Sequence, residues 1–143
     1  MKKVILTTMI LVFLSSLTYA ADWKFYYKNS KGTDCYYDAQ RIICEGDITK
    51  VWGKLMLSDK DKEGYIKGHP KIPKIERISY TIGRWEVDCV KYRFRVLSSN
   101  WYDSDGNIIY SVGSPNSQFR EVVPRSTIAK LVAIICKEGV GCK

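Results

Sequence analysis

The segment Met1–Ala20 constrains what this chain can fold into more than any other feature, because it decides the compartment in which the cysteines mature. Two lysines follow the initiating methionine, and Val4–Leu17 is an apolar run softened by a few hydroxyl side chains. The run is shorter than the roughly twenty residues that span a bilayer. Small or tolerated residues precede Ala21, as signal-peptide cleavage requires. We therefore predict a secretory signal over residues 1–20, cleaved between Ala20 and Ala21.

An oxidising compartment makes the five cysteines candidates for disulfides before metal ligands or nucleophiles. Cys89 ends a predicted strand and Cys136 ends a predicted helix, so a bridge between them would clamp the helix onto the sheet. Such a bridge would close a loop of about 48 residues and contribute roughly 4 kcal/mol of stability. Cys35 and Cys44 flank a turn and could bridge locally, which leaves Cys142 unpaired. A bridge between Cys35 and Cys142 is the alternative.

Length and charge bound the class of protein. Cleavage leaves 123 residues, which suits a single domain over residues 21–143 with a real hydrophobic core. It also lowers the formal charge from +8 to +6, which is too small an excess to indicate nucleic-acid binding and favours a protein or acidic polymer as partner. Ala21 stands where a bacterial lipoprotein needs a cysteine, and no second apolar span follows. We expect an exported product, periplasmic or extracellular at the cell surface, without a lipid anchor or an integral membrane segment.

Alternation of large apolar and polar residues predicts a run of antiparallel strands. Trp23–Tyr27 and Cys35–Tyr37 form a predicted hairpin around the turn residues 29–32. Further strands are predicted over residues 42–44, 48–57, 78–89, 92–96 and 108–112. Ser58–Pro73 combines glycines and prolines with charged residues, and this composition predicts a long polar loop.

Gly83 lies where the apolar alternation of one predicted strand changes phase. Tyr80 and Ile82 share one phase, whereas Trp85 and Val87 share the opposite phase. A strand that changes phase needs an extra residue, so the pattern predicts a β-bulge at Gly83 that bends the strand and curves the sheet.

The carboxyl-terminal part of the chain carries the helical signal. Ser126 suits an N-cap, and apolar residues follow at i, i+3, i+4 and i+7 spacing: Ile128, Leu131, Val132 and Ile135. Because almost no polar residue interrupts this helix, we expect most of its girth to be covered. Antiparallel strands followed by one apolar helix predict an α+β fold with the helix on one face of the sheet.

Four cations are the candidate partner-binding residues. Lys91, Arg93 and Arg95 alternate along one predicted strand, and Arg84 extends the set, which we call the basic stripe. Period-two spacing places Lys91, Arg93 and Arg95 on one sheet face, where they would form a docking surface for an acidic partner. A solvated strand face is the alternative reading of the same pattern.

The sequence offers no catalytic constellation. His69 is the one histidine, and a single imidazole cannot build a histidine-based metal site. Residues 103–107 are a poor match to a calcium loop, because their glycine falls where a hairpin turn requires it. Glu86 and Asp88 stand beside Arg84 as an expected exposed ion-pair strip. We therefore predict no enzymatic activity, no cofactor and no metal.

Aromatic residues are numerous, and most are expected in the sheet core because aromatic side chains favour half-buried pleated surfaces. An exposed subset would form a platform for a sugar or a protein. The set includes Trp23, Phe25, Tyr26, Tyr27, Tyr36, Tyr37, Trp52, Trp85, Tyr92, Phe94, Trp101 and Tyr102.

Nearly the whole mature chain resembles the surface-adhesin protein E-like domain of bacterial secreted proteins. The resemblance rests on motifs that occur in family order: Trp23, Tyr36-Tyr37-Asp38, Ile42, Val51-Trp52, Val87-Asp88-Cys89, Tyr92-Arg93-Phe94-Arg95, Tyr102-Asp103-Ser104-Asp105-Gly106, Val123-Pro124, Ser126 and Cys136.

This resemblance implies a curved antiparallel sheet of about six strands, with the terminal helix held on its concave face by a Cys89–Cys136 disulfide. It also implies a binding domain, since the family is named after an adhesin of host matrix proteins such as vitronectin and laminin. The alternative function is a periplasmic inhibitor or accessory factor for an envelope enzyme. In that case the predicted loop Ser58–Pro73 would insert into the cleft of the enzyme.

Overall fold

The structure, a computed structural model, describes residues 20–137, so the predicted signal up to residue 19 and the fate of Cys142 lie outside the described residues. Eight strands form one antiparallel sheet: β1 (Trp23–Lys28), β2 (Asp34–Asp38), β3 (Ile43–Glu45), β4 (Ile48–Met56), β5 (Tyr80–Asp88), β6 (Arg93–Tyr102), β7 (Ile108–Gly113) and β8 (Arg120–Glu121). The helices are α1 (Asp59–Gly68), a short 3-10 helix (Ile75–Arg77) and α2 (Thr127–Lys137).

The sheet has the order β1-β2-β4-β5-β6-β7, with β3 also paired to β4 and β8 also paired to β6. Strands β4 and β5 pair in unbroken register along their whole length. Since side chains alternate between the two sides of a sheet, Val51 and Val87 lie on one side, which we call the helix face. Trp52 and Arg84 lie on the other side, which we call the open face.

Helix α2 packs on the helix face, as the sequence predicted. Ser126 caps it, because the Ala129 backbone N–H donates to the Ser126 hydroxyl at 3.2 Å. The helix buries Leu131, Val132 and Ile135 against Tyr37, Val51 and Val87 of the sheet. The disulfide between Cys89 and Cys136 joins the end of β5 to the end of α2, with the Cα atoms 5.7 Å apart. The α+β fold and the helix-clamping disulfide are therefore confirmed.

The long polar loop predicted over Ser58–Pro73 is wrong, because residues 59–68 form helix α1. Ser58 accepts a hydrogen bond from the Asp61 backbone N–H at 3.2 Å and so caps the helix, and acidic residues occupy its first turn. Tyr65 and Ile66 pack against a second core cluster on the helix face. The amphipathic signal was too weak to detect from the sequence, since α1 buries no residue completely.

The second core cluster consists of Leu57, Ile75, Ile78 and Trp101. The first core cluster is the one formed by α2 and the sheet. Strand β4 contributes Val51 to the first cluster and Leu55 to the second, so the two clusters lie at opposite ends of the helix face. Among residues 20–137, no helix has the length and apolar character that a membrane span needs.

The β-bulge predicted at Gly83 is wrong in its position. Gly83 pairs regularly with Gly53 and with Ser99. The extra residue is Leu97 on the neighbouring strand β6, since Arg84 pairs with Ser98 whereas Trp85 pairs with Val96. The apparent change of phase arises because Tyr80 and Ile82 belong to the open face.

Cys35 is a free, fully buried thiol, so the predicted Cys35–Cys44 bridge and its Cys35–Cys142 alternative are wrong. Cys35 pairs with Leu55 and lies on the helix face, and its Sγ atom is 3.7 Å from the carbonyl oxygen of Thr33. Cys44 is disulfide-bonded, to a partner other than Cys35. Burial raises the pKa of Cys35 to about 11, and the charges of Asp34 and Asp61 act in the same direction.

We expect the Cys35 thiol to resist alkylation in the folded protein. At pH 8 its raised pKa leaves about a hundredfold less thiolate than an unperturbed cysteine has. The measurement is iodoacetamide labelling in the presence and absence of denaturant, followed by peptide mapping of the Cys35 peptide. Rapid native labelling of that peptide, or its recovery in a disulfide, would contradict the buried free thiol.

Candidate functional site

The open face carries a row of aromatic rings that no helix of the described chain covers. Five strands contribute to it, because each projects alternate side chains to this side of the sheet. Its members are Trp23, Phe25, Tyr36, Trp52, Lys54, Tyr80, Ile82, Arg84, Asn100 and Tyr102. Phe25 is 56% exposed, and the other members are partly exposed.

Ring contacts order this surface. Tyr80 and Tyr102 stack in parallel with ring centroids 4.8 Å apart, and Phe25 meets Tyr36 edge to face at 5.7 Å. Two cations lie over rings of the same face. The Lys54 ammonium is 4.8 Å from the Tyr80 centroid, and the Arg84 guanidinium is 5.9 Å from the Trp52 centroid.

A groove with a volume of about 350 Å³ opens on this face. We call it the aromatic groove; its lining residues are Ala21, Trp23, Asp38, Arg41, Trp52, Ile82, Asn100 and Tyr102. Small-molecule sites have volumes of about 300–1,000 Å³ and combine aromatic walls with a few polar groups. The aromatic groove has that composition.

Asp38 is the buried polar group of the groove, with its side chain fully shielded from solvent. Its Oδ1 accepts hydrogen bonds from the backbone N–H groups of Asp22 at 3.2 Å and Gln40 at 3.1 Å. Its Oδ2 has no hydrogen-bond partner among the described residues, although Arg41 Nε lies 3.5 Å away in an ion pair. A buried carboxylate oxygen in this state retains capacity to accept a donor.

The predicted basic stripe is not a row of unpaired cations. Arg95 donates to Glu86 at 2.6 Å, and Arg93 donates to Asp88 at 2.9 Å. Glu86 and Asp88 are 6% and 4% exposed, so the expected exposed ion-pair strip is in fact buried. Phe119 contributes to this burial, since its ring lies 5.0 Å from the guanidinium of Arg93 and 4.6 Å from that of Arg95.

The other two stripe residues are not members of these ion pairs. Lys91 belongs to the turn before β6 rather than to the strand, and its backbone N–H donates to Asp88 at 2.9 Å. That hydrogen bond, together with the Arg93 guanidinium, holds the pKa of Asp88 below its ordinary value. Arg84 lies on the open face beside Trp52. By the strand register Arg93 and Arg95 also lie on the open face, where they are paired structural cations, whereas Arg84 lies beside the aromatic rings.

Two smaller cavities, one lined by Asp61 and the other by Asp103, are less suited to a ligand, because both carboxylates already accept hydrogen bonds within the fold. Asp61 accepts hydrogen bonds from Thr33 at 2.6 Å and Asn29 at 2.9 Å. Asp103 accepts from the backbone N–H groups of Asp105 and Asn107 at 3.0 and 2.8 Å. A hydrogen bond from the Asn107 side chain is the leading cause that holds the pKa of Asp103 below its ordinary value.

His69 has a packing role rather than a chemical one. Its ring meets Trp101 at 4.9 Å and Tyr65 at 6.5 Å between centroids, next to the second core cluster. Within residues 20–137 there is no group of three or more histidine, cysteine, aspartate or glutamate side chains placed to hold a metal ion.

Asp61 gives the fold a specific acid sensitivity. Burial disfavours its charged form, but hydrogen bonds from Thr33 and Asn29 and the Lys31 ammonium outweigh burial and hold its pKa below the ordinary value. A depressed folded-state pKa stabilises the fold above the ordinary carboxylate pKa of about 4, and this stability is lost as the pH falls through the folded-state pKa.

We expect Asp61→Asn to lower the free energy of unfolding by about 1–2 kcal/mol at pH 7, since charge-assisted hydrogen bonds from three groups are weakened. Below pH 4 the difference from the wild type should shrink, because the wild-type carboxyl becomes protonated there. Urea denaturation at pH 7 and pH 3 measures both effects. Asp59→Asn is the control in the same helical turn, since Asp59 is almost fully exposed. An equal loss for both variants, or a loss that does not depend on pH, would contradict this role of Asp61.

Sequence reasoning missed the polar half of the aromatic groove. The sequence analysis names Asp38 only within the Tyr36-Tyr37-Asp38 motif and does not include Arg41 or Asn100 among the candidate residues. One signal for this site was present in the sequence: Trp52 and Lys54 alternate along β4 with residues of the opposite face, such as Val51, and so lie on the same side of the sheet. Strand order was needed to bring Trp23, Asp38 and Asn100 to the same place, and sequence spacing does not supply that order.

An antiparallel sheet with one packed face, one aromatic open face and a helix held by a disulfide defines a small α+β domain. The family model described as surface-adhesin protein E matches residues 23–137. The chain belongs to the surface-adhesin protein E family.

Solved structures of Haemophilus influenzae protein E share this fold. One has 15% sequence identity and a TM-score of 0.54, and the match covers 83% of this chain and 86% of that chain. A second crystal form has 14% identity and a TM-score of 0.55, covering 83% and 90%. Protein E from non-typeable Haemophilus influenzae has 15% identity and a TM-score of 0.51, covering 86% and 80%. At these identities the likeness establishes the fold alone. A comparison with curated proteins found no match.

Proposed function

We propose that this chain is an exported, non-enzymatic binding domain that contacts an extracellular or envelope protein through its open face. The observation that carries the proposal is the set of partly exposed aromatic rings on that face, opposite a sheet face that two helices pack against. Membership of an adhesin family and the predicted secretory signal support the same direction.

The chemistry of the open face suits protein recognition. Contiguous exposed apolar surface marks interaction sites in soluble domains. Trp, Tyr and Arg are enriched among the residues that contribute most to protein–protein binding, and this face presents Trp52, Tyr102 and Arg84. Lys54 and Arg84 add positive charge, which speeds association with an acidic partner.

The alternative function, an inhibitor or accessory factor for an envelope enzyme, relied on an insertion loop at Ser58–Pro73. Helix α1 occupies most of that segment, and the segment is fixed by the Ser58 cap and by packing of Tyr65 and Ile66. Because the amino end of α1 is capped and its apolar residues pack on the sheet, this segment is poorly suited to insert into the cleft of an enzyme. The binding-domain proposal is therefore better supported than the inhibitor or accessory-factor alternative.

Solid-phase binding of the purified processed domain tests the proposal, with immobilised vitronectin and laminin as probes. We expect saturable binding to at least one of them. A Phe25→Ala/Trp52→Ala variant should bind at least tenfold more weakly, since aromatic hot spots contribute about 2 kcal/mol or more. The thermal midpoint of each variant is measured alongside to show that it is folded.

Tyr110→Ala is the matched control, because Tyr110 is an exposed aromatic residue of edge strand β7 that packs on the helix-face residue Trp101. Its binding should stay within about twofold of the wild type. Equal losses for the control and the open-face variant would contradict the assignment of the surface. Absence of binding to both probes would contradict the matrix-protein version of the proposal.

A further inference from the structure

We propose that the aromatic groove binds a hexuronic acid residue of an acidic saccharide. The inference goes beyond the proposed function, since it gives the groove of the open face a saccharide ligand. Three features carry it. The walls of the groove are aromatic, and a buried carboxylate oxygen on its floor has no hydrogen-bond donor and lies 3.5 Å from Arg41 Nε in an ion pair. Two cations beside the groove, Lys54 and Arg84, have no carboxylate partner among the described residues.

The walls suit the ring of a sugar. Trp23, Trp52 and Tyr102 line the groove together with Ile82, so its sides are mostly aromatic and apolar. The C–H groups of a pyranose ring carry a slight positive charge and pack favourably on the negative face of an aromatic ring. The volume of about 350 Å³ lies in the range of small-ligand sites.

The floor suits a hydroxyl group. Asp38 is fully buried, and both donors to its Oδ1 are backbone groups, which fix the orientation of the carboxylate. Its Oδ2 has no hydrogen-bond partner among the described residues. A sugar hydroxyl would supply the missing donor, and Asn100 offers a second polar group that can donate or accept.

The charge of the surroundings selects an acidic sugar over a neutral one. Lys54 lies 5.8 Å from the Trp23 centroid, and Arg84 lies 5.9 Å from the Trp52 centroid, so a cation stands beside each tryptophan wall. Neither cation has a carboxylate within ion-pair distance in the part of the chain that the structure describes. Arg41, on the floor of the groove, is ion-paired with Asp38, so the excess positive charge comes from Lys54 and Arg84. A ligand carboxylate would neutralise this excess.

The experiment compares two probes that differ only at C6, methyl β-D-glucuronide with a carboxylate there and methyl β-D-glucoside with a neutral hydroxymethyl group. The processed protein is titrated with each at low salt, and binding is followed by tryptophan fluorescence and by saturation-transfer NMR. We expect saturable binding of the glucuronide that weakens with added salt, and binding of the glucoside at least about tenfold weaker. Equal affinity for both probes, or no saturable binding of either, would overturn the inference.

Matched variants locate the site. Lys54→Gln removes one charge beside the groove, whereas Lys91→Gln removes the same charge from a distant exposed turn. We expect about a tenfold loss of glucuronide affinity for the first and less than about twofold for the second. Asp38→Asn should lower the affinity for both probes. The two backbone donors would hold the amide oxygen, so an NH2 group would replace the Oδ2 atom that accepts the sugar hydroxyl. Equal effects of the two lysine variants would overturn the assignment to the groove.

The outcomes distinguish this inference from the proposed function. If neither sugar binds but the Phe25→Ala/Trp52→Ala variant still loses its protein partner, the saccharide inference is wrong and the binding-domain proposal stands. If the glucuronide binds at the groove and no matrix protein binds at the open face, the groove recognises a polysaccharide and the protein-partner proposal fails.

Discussion

Removal of the Cys89–Cys136 disulfide is expected to lower the free energy of unfolding by about 4 kcal/mol. The bond closes a loop with a sequence separation of 47 residues, so its loss increases the conformational entropy of the unfolded chain. It also releases helix α2, whose Leu131, Val132 and Ile135 form a large part of the first core cluster. For a domain of this size such a loss is a large fraction of a typical total stability of about 5–15 kcal/mol.

The measurement is urea denaturation of the Cys89→Ala/Cys136→Ala variant, followed by circular dichroism. The double variant is preferable to chemical reduction, because a reducing agent would also break the disulfide of Cys44. Cys35→Ala serves as a control that changes a free cysteine and leaves both disulfides in place. A double variant that unfolds at the wild-type urea concentration would contradict the role of the bond as a clamp.

Gly53→Ala is the second change with a large expected effect, a loss of about 3 kcal/mol. A Cβ atom at Gly53 would lie 2.5 Å from two ring atoms of Trp85, which crosses the middle of the helix face. The indole cannot move aside easily, since Gly83 supports it from the next strand and a Cβ there would lie 2.9 Å from its Nε1. The two glycines therefore form the platform on which the Trp85 ring lies.

Gly64→Ala is the matched control for this prediction. Gly64 lies within helix α1, and a Cβ atom there meets nothing within 4 Å. The same substitution should raise stability by about 0.5–1 kcal/mol, because alanine is the better helix former. Thermal unfolding of both variants measures the two effects, which have opposite signs. A Gly53→Ala protein as stable as the wild type would show that the Trp85 ring is not held against this platform.

The local elements with strong periodic signals were predictable from the sequence. Helix α2 follows from the spacing of its apolar residues and the Ser126 cap, and the first hairpin follows from its alternation and its turn residues. Helix α1 was missed because two glycines and a run of charges hide it, although the Ser58 cap and the acidic first turn were visible in the sequence. In that segment the capping residues indicated the helix correctly, whereas the overall composition wrongly indicated a loop.

The candidate site was only partly predictable, because it depends on which strands become neighbours. Alternation along β6 correctly placed Arg93 and Arg95 on one face, but it could not show that Asp88 and Glu86 of β5 would neutralise them. Among the described residues of the open face, Lys54 of β4 and Arg84 of β5 have no carboxylate partner. A charge pattern on a single strand therefore does not predict a charged surface until its neighbours are known.

These relations explain why the aromatic part of the open face, rather than the basic stripe on the same face, is proposed as the binding surface. Changing Arg93 and Arg95 to glutamate would leave Asp88 buried without its Arg93 partner and Glu86 with the more distant Lys50 ammonium at 3.9 Å, so the fold itself would be destabilised. Variants on the aromatic part of the open face avoid this problem, since Phe25 is 56% exposed and Lys54 has no carboxylate partner among the described residues. A loss of binding in such variants can be assigned to the surface itself.

The central proposal is that this chain binds a protein outside the cytoplasm. Binding of an extracellular protein requires display outside the cell, and protease shaving of intact cells tests this most directly. Cells are treated with protease before and after the outer envelope is opened, and an antibody to residues 21–143 follows the domain. We predict that the domain is degraded on intact cells, or is found in the medium, while a periplasmic marker protein stays protected. Full protection of the domain until the envelope is opened would contradict display outside the cell.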